Sequence, residues 1–196
     1  MSIKTCISRL VICSVFFLHM LITGDVIGES ITVEAGEKNI NIVYKNTDIY
    51  DNSSTSGVDA NLLYRKQNNH QDILASVGLT PFTYISKHTK IDAGFRIIVA
   101  DPLNYYLSAI ALGAELSYQP ATTPAFKFAT ALYYAAESLT FSDGEEISLI
   151  TFNMDHELAD DTFIRLGYRR IRTELANGIT SDFDRGAYLG LSWSYK

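Results

Sequence analysis

Cysteine occurs twice in the 196 residues, as Cys6 and Cys13, and nowhere after residue 13. A chain that loses its first segment on export therefore crosses an oxidising compartment with no thiol to pair. That excludes a disulfide scaffold, a thiolate metal site and a cysteine nucleophile together. Lysine and arginine are also in short supply, 16 against 22 aspartates and glutamates, so no basic patch supports nucleic-acid binding. No apolar run reaches the ~20 residues that a membrane-spanning helix needs. Mean hydropathy near zero excludes a bundle of such helices, yet it is what lipid-facing and lumen-facing residues give when they alternate and average out. Proline is scarce at 4, whereas Tyr at 12 and Phe at 10 make the chain aromatic-rich and strand-prone.

The longest apolar run, Leu10 to Ile22, is broken only by Ser14 and His19 and follows Lys4 and Arg9. Small residues follow at Gly24 and Gly28. A short basic region, an apolar core and a small-residue exit read as a secretory signal over residues 1–28, cleaved near Gly24 or Gly28. Its removal takes Lys4, Arg9 and Asp25 and leaves the mature chain, 29–196, more acidic still.

From there on the chain alternates. In the last stretch Ala187, Leu189, Leu191, Trp193 and Tyr195 share one side of a strand, and Gly186, Tyr188, Gly190, Ser192 and Ser194 the other. The same pattern recurs around Ile40–Tyr44, Val58–Tyr64, Ile73–Leu79, Ile91–Val99, Ile110–Tyr118, Phe126–Tyr134 and Ile164–Tyr168. In the less regular stretch 146–156, Ile150, Phe152 and Met154 are the favoured outward set over Leu149, Thr151 and Asn153. Runs of ~9–12 residues are the length at which a tilted strand crosses a bilayer. Soluble strands average nearer 5–6. The predicted fold is all-β, an antiparallel up-and-down transmembrane β-barrel. Ten strands are expected if 30–35 is a short strand of its own, and eight is the alternative. Pro81 is expected to end a strand, and 136–145 and 173–184 to be outer loops. The intervals 46–57, 81–89, 119–124 and 157–161 are expected to be turns on the side of the termini.

The side opposite the apolar one carries Asp59, Arg65, Asp92, Arg96, Glu115, Lys127, Glu146, Arg165 and Arg169. Both signs occur in near balance, so these nine are the candidate lumen-facing charges. They either interlock and fill the interior or line a narrow polar pore. Tyr44, Tyr64, Tyr118, Tyr134, Tyr168, Trp193 and Tyr195 stand at strand ends, as two interfacial belts require.

With that pattern laid out, the chain resembles the YfaZ-type family of predicted bacterial outer-membrane proteins. The resemblance runs from about Ile31 to Tyr195. Its carriers are I-T-V-E-A-G at 31–36 with an Asn-Ile alternation after it, L-G-Y-R at 166–169, and Y-L-G-L-S-W-S-Y at 188–195. The chain end also looks like the assembly signal of outer-membrane barrels, with Gly190 followed by Trp193 and Tyr195. The resemblance implies a porin-like barrel in a Gram-negative outer membrane, with lipid and the barrel assembly machinery as partners. It implies no reaction, ligand or catalytic motif.

Catalytic groups are sparse. His156 lies between Asp155 and Glu157, where an acid–base dyad is conceivable, but no serine stands in a nucleophile motif. His70 and His88 fall in separate polar turns, and no cluster has metal-ligand spacing. The expectation is a monomeric barrel, not an enzyme and without a cofactor, structural or surface-exposed with a mostly filled polar lumen. A narrow passive channel for small solutes and a lipid-acting barrel enzyme are the alternatives.

Overall fold

The computed structural model describes residues 29–47, 55–67 and 70–195. The expected signal, 1–28, and most of the polar segment after Thr47 lie outside them. Eleven strands follow in chain order: β1 Glu29–Gly36, β2 Asn39–Thr47, β3 Thr55–Gln67, β4 His70–Ser86, β5 Thr89–Ala100, β6 Leu107–Tyr118, β7 Phe126–Ala135, β8 Thr140–Ser142, β9 Gly144–Ala159, β10 Thr162–Leu175 and β11 Thr180–Tyr195. Each pairs antiparallel with its neighbour, and β1 pairs with β11 from Glu29↔Tyr195 to Gly36↔Tyr188. The sheet therefore closes on itself as a barrel of ten staves. Closure removes the unpaired edge that neither water nor lipid would leave unused.

The three-residue β8 is not an eleventh stave. It pairs with Leu107–Ala109 of β6, on the same edge that β7 occupies from Leu112 to Tyr118. Residues Glu137–Leu139 make one 3-10 turn, with Leu139 packed against the interior cluster, and β8 then resumes the line of β7. The Ala136 carbonyl ties this excursion down by accepting from the Leu139 amide and the Thr140 hydroxyl, each at 2.9 Å.

Short segment 30–35 is indeed a separate strand, so an even count brings both described ends to one end of the barrel. Several expected loops are strand instead. Pro81 lies inside β4, which continues to Ser86. The β4–β5 ladder omits Thr80 and Pro81, resuming at Phe82↔Asp92, so the proline, which has no N–H to give, interrupts two ladder positions without shifting register. Most of 173–184 is also paired, leaving a turn at 176–179 with Gly178 at φ 76°. There a bulge hides the alternation: Ile171 faces Asp184 while Arg172 faces Asp182, and Phe183 is the extra residue.

The outer face is apolar over its middle. Leu62, Phe95, Ile97, Leu112, Leu132, Ile150, Phe152, Leu166 and Leu189 are all exposed there. Tyr118, Trp193 and Tyr195 edge this belt at the end of the termini, and Tyr64, Tyr134 and Tyr168 at the loop end. Tyr44 departs from the expected belt, being buried at 5% exposure. Rows of exposed leucine and phenylalanine edged by tyrosine and tryptophan fit hydrocarbon between two interfaces.

Candidate functional site

Alternation sends every second side chain into the lumen, and the lumen is layered. Nearest the loops it is apolar: Leu63, Leu74, Ile98, Leu107, Ile147 and Leu175 are essentially fully buried, with Tyr133 and Phe183 between them. The β11 bulge turns both Phe183 and Asp184 inward, where a regular strand would have sent one out. Arg65 lies over the Phe183 ring at 5.1 Å, ion-pairs with Asp72 and donates to the Asp182 carbonyl. Burial and the neighbouring Asp72 carboxylate push the Asp101 carboxyl, in the β5–β6 connection, above its ordinary range.

Below this plug comes a layer of arginines. Arg96 sits 4.6 Å from the Tyr133 ring centre and ion-pairs with Asp59 at 2.6 Å. Arg169 sits 4.8 Å from the Tyr188 ring and pairs with Glu34 and Asp184, both at 2.7 Å. Arg165 forks onto Asp155 at 2.6 and 2.8 Å and reaches Glu34 at 3.2 Å. The Tyr188 hydroxyl donates to Asn153. Each buried guanidinium thus has at least one carboxylate, and three of the four lie on a ring, the arrangement in which such charges tolerate desolvation.

Toward the termini the interior opens into a cavity of about 260 Å³, lined by Lys45, Lys90, Asp92, Glu115, Lys127 and Asp155 among others. Lys45 bonds both Glu115 oxygens at 3.1 and 3.0 Å, and Lys90 pairs with Asp92 at 3.1 Å. Lys127 makes no ion pair with any described residue and projects into the open space. The apolar cluster around Tyr133 and Phe183 lies on the loop side of this cavity.

Eight of the nine candidate charges, Asp59, Arg65, Asp92, Arg96, Glu115, Lys127, Arg165 and Arg169, line this interior. Glu146 does not. It lies on the outer face, where it accepts a hydrogen bond from the outward Tyr134 hydroxyl at 3.1 Å. Its parity with Ile150 and Phe152 on β9 requires this, since those two are exposed to the outside. Glu34, Lys45, Asp72, Lys90 and Asp184 belong to the interior but escaped the sequence reading. Continuing the alternation would have found Glu34 from Ile31 and Val33, Lys45 from Asn41 and Val43, and Lys90 from Asp92. Asp184 was hidden by the bulge.

Gly190 lies inward, where a side chain would press on the Val33 carbonyl at 2.9 Å. Trp193 and Tyr195 face outward at the end of the termini. His156 stacks on Phe126 at 4.4 Å on the outer side, while Asp155 points inward to Arg165. The two adjacent residues thus occupy opposite faces and form no dyad. Among the described residues no group of His, Cys, Asp or Glu is arranged to hold a metal ion.

Among solved structures, the chain is similar to the outer membrane channel DcaP of Acinetobacter baumannii, at 11% identity and a TM-score of 0.45. The match covers 85% of this chain and 62% of the DcaP chain. A structure from work on the in-meso crystallization of membrane proteins is similar at 9% identity and a TM-score of 0.41, over 86% of this chain and 82% of that one. The chain matches none of the curated proteins. A family model described as YfaZ precursor matches residues 7–195, nearly the whole length, and the chain belongs to that family.

Proposed function

We propose that the chain is an integral protein of a Gram-negative outer membrane, a monomeric porin-like barrel whose lumen is shut, acting as a structural or surface-exposed element rather than an open pore. One observation carries this reading: the fully buried apolar plug around Tyr133 and Phe183 at the loop end of the lumen. Water and ions cross narrow pores along polar walls, and a packed apolar layer denies them partners. The exposed aliphatic belt with its aromatic edges supports the membrane location. A precursor-type family and the apolar leader before Gly24 support export. Gly190, Trp193 and Tyr195 at the chain end support recognition by the barrel assembly machinery.

The test is electrical. Purified, folded protein added to planar bilayers is expected to give no discrete conductance steps, while shifting on a gel between unboiled and boiled samples as folded barrels do. Regular steps from the heat-modifiable form would overturn the closed-lumen reading in favour of a narrow channel through the charged cavity.

A further inference from the structure

Toward the loop end the outer wall changes chemistry in a fixed order. Along the outward side of β10 come Ile164, Leu166 and Tyr168, then Arg170 and Arg172, then Glu174. Outward on β3 come Leu62 and Tyr64, then Lys66. Two strands thus share one triplet: an outward tyrosine, an inward arginine, an outward cation, as Tyr64-Arg65-Lys66 and Tyr168-Arg169-Arg170. The inward members are the arginines that sit on Phe183 and Tyr188. The outward ones stand two residues, roughly 6.6 Å, beyond the tyrosine level.

Two further positions complete one sector. Arg185 of β11 is directly opposite Arg170. Lys38, in the β1–β2 turn, comes next, and its carbonyl accepts from the Lys66 amide at 3.0 Å. Since β10, β11, β1, β2 and β3 are consecutive in the wall, Arg172, Arg170, Arg185, Lys38 and Lys66 follow one another around it. Among the described residues of β4 to β9, no lysine or arginine faces outward at that end; Glu137 and Glu146 occur there instead.

This sector breaks a rule of sheet pairing. Like charges directly opposite one another on neighbouring strands repel. Arg170 and Arg185 share a single carboxylate, Asp182, which lies 3.2 Å from one and 3.7 Å from the other. Arg172 is exposed and makes no ion pair with any described residue. Glu37 is spent on Lys38 at 3.8 Å, and Glu174 stands above the cations, facing Glu146. Guanidinium groups are left with free donors in a band between apolar belt and acidic rim.

We infer that this sector is a docking site for the phosphate of a membrane lipid in the loop-side leaflet. Tyrosine marks the depth of the headgroups, so the next outward residues reach the phosphate layer. The planar fork of arginine matches phosphate oxygens, and one phosphate between Arg170 and Arg185 converts their repulsion into attraction. Lys38 and Lys66 extend the same field. The acyl chains lie on Leu166, Leu189 and Ile40, which are 50%, 55% and 53% exposed directly below. The inference rests on the barrel being inserted in a membrane, as proposed above.

The experiment offers the folded barrel an equimolar mixture of phosphatidic acid and phosphatidylcholine in micelles and counts retained lipids by native mass spectrometry. The wild-type chain is expected to prefer phosphatidic acid by roughly tenfold, the factor that a few exposed charge contacts supply, and to lose that preference as salt rises. Arg170→Gln/Arg172→Gln/Arg185→Gln is expected to abolish the preference. Lys87→Gln, at the opposite end, is expected to keep it. If the triple variant does not give the heat-modifiable form, Arg172→Gln alone replaces it, with a partial loss expected. Retained preference in the arginine variants, or equal loss in Lys87→Gln, overturns the site. The same folded barrel is also offered to vesicles of that lipid mixture: insertion without a phosphatidic acid preference overturns the site alone, and failure to insert overturns the membrane reading as well.

Discussion

Arg96 is held from two sides, by the Asp59 carboxylate at 2.6 Å and the Tyr133 ring at 4.6 Å, while its Nε has no hydrogen-bond partner among the described residues. Replacing it with methionine strands a buried carboxylate, so Arg96→Met is expected to cost about 3–5 kcal/mol. Adding Asp59→Asn removes the stranded charge, and the double variant is expected to be more stable than the single one. Urea midpoints of the heat-modifiable form decide it; equal midpoints would mean the pair is already solvated. Glycine has a matching role at two places. A Cβ at Gly113 would run into the Tyr133 ring, and one at Gly167 into the Tyr188 ring, so both rings lie flat over bare backbone. Gly167→Ala is expected to destabilise by about 1–3 kcal/mol through overpacking, and by much less when Tyr188→Ala has already cleared the space. Alternation in sequence made Asp59 and Arg96 legible as neighbours in one interior. It put Tyr133 and Tyr188 on the inner side as well, but could not tell that each lies against a glycine, because sequence periodicity assigns a face and not a contact.

At the level of the strand, the β11 bulge decides what the lumen is. A regular strand would send Phe183 into the headgroup region and leave Arg65 without its ring. With the extra residue, Phe183 is fully buried and Asp184 still reaches Arg169. Phe183→Ala is expected to cost about 3–5 kcal/mol, the usual loss for a buried ring. Deleting Phe183 restores a regular ladder with Ile171 opposite Asp184, and is expected to cost no more than the alanine variant. A deletion variant that fails to fold where Phe183→Ala folds would show that the extra residue sets the register of the following strand instead. The same bulge explains why 173–184 looks like a loop in sequence: one inserted residue inverts the alternation, and the reader of periodicity sees polar disorder where a ladder continues. Pro81 misled in the same way, since a proline is read as a strand end, yet here it only interrupts the ladder opposite Ala93 and Gly94, and the register carries on unchanged. Short 30–35, by contrast, was legible, because its Ile31-Val33-Ala35 alternation demands a wall on both sides and parity demanded one more stave.

Over its described residues the whole molecule is asymmetric: the lumen is charged toward the termini and packed with apolar side chains toward the loops. That asymmetry follows from where the inward residues fall along their strands. Lys45, Asp92, Glu115, Lys127 and Asp155 all sit near the end shared with the termini, whereas Leu63, Ile98, Leu107, Ile147 and Leu175 sit near the other. No cysteine occurs after Cys13, so in a barrel that has lost its leader, as proposed above, single cysteines report access without background. Lys127→Cys places a thiol in the cavity, and Asn177→Cys places one in the exposed β10–β11 turn beside Gly178. With the termini on the periplasmic side, a charged, membrane-impermeant maleimide added to intact cells is expected to label Asn177→Cys and to spare Lys127→Cys. After the outer membrane is opened, both are expected to react. Labelling of Lys127→Cys in intact cells at the rate of the turn cysteine would mean that reagent passes the plug, and the lumen would have to be redrawn as a channel. Labelling of Lys127→Cys alone would invert the barrel in the membrane and leave the seal intact, because a cup sealed at one end admits solute from one side only.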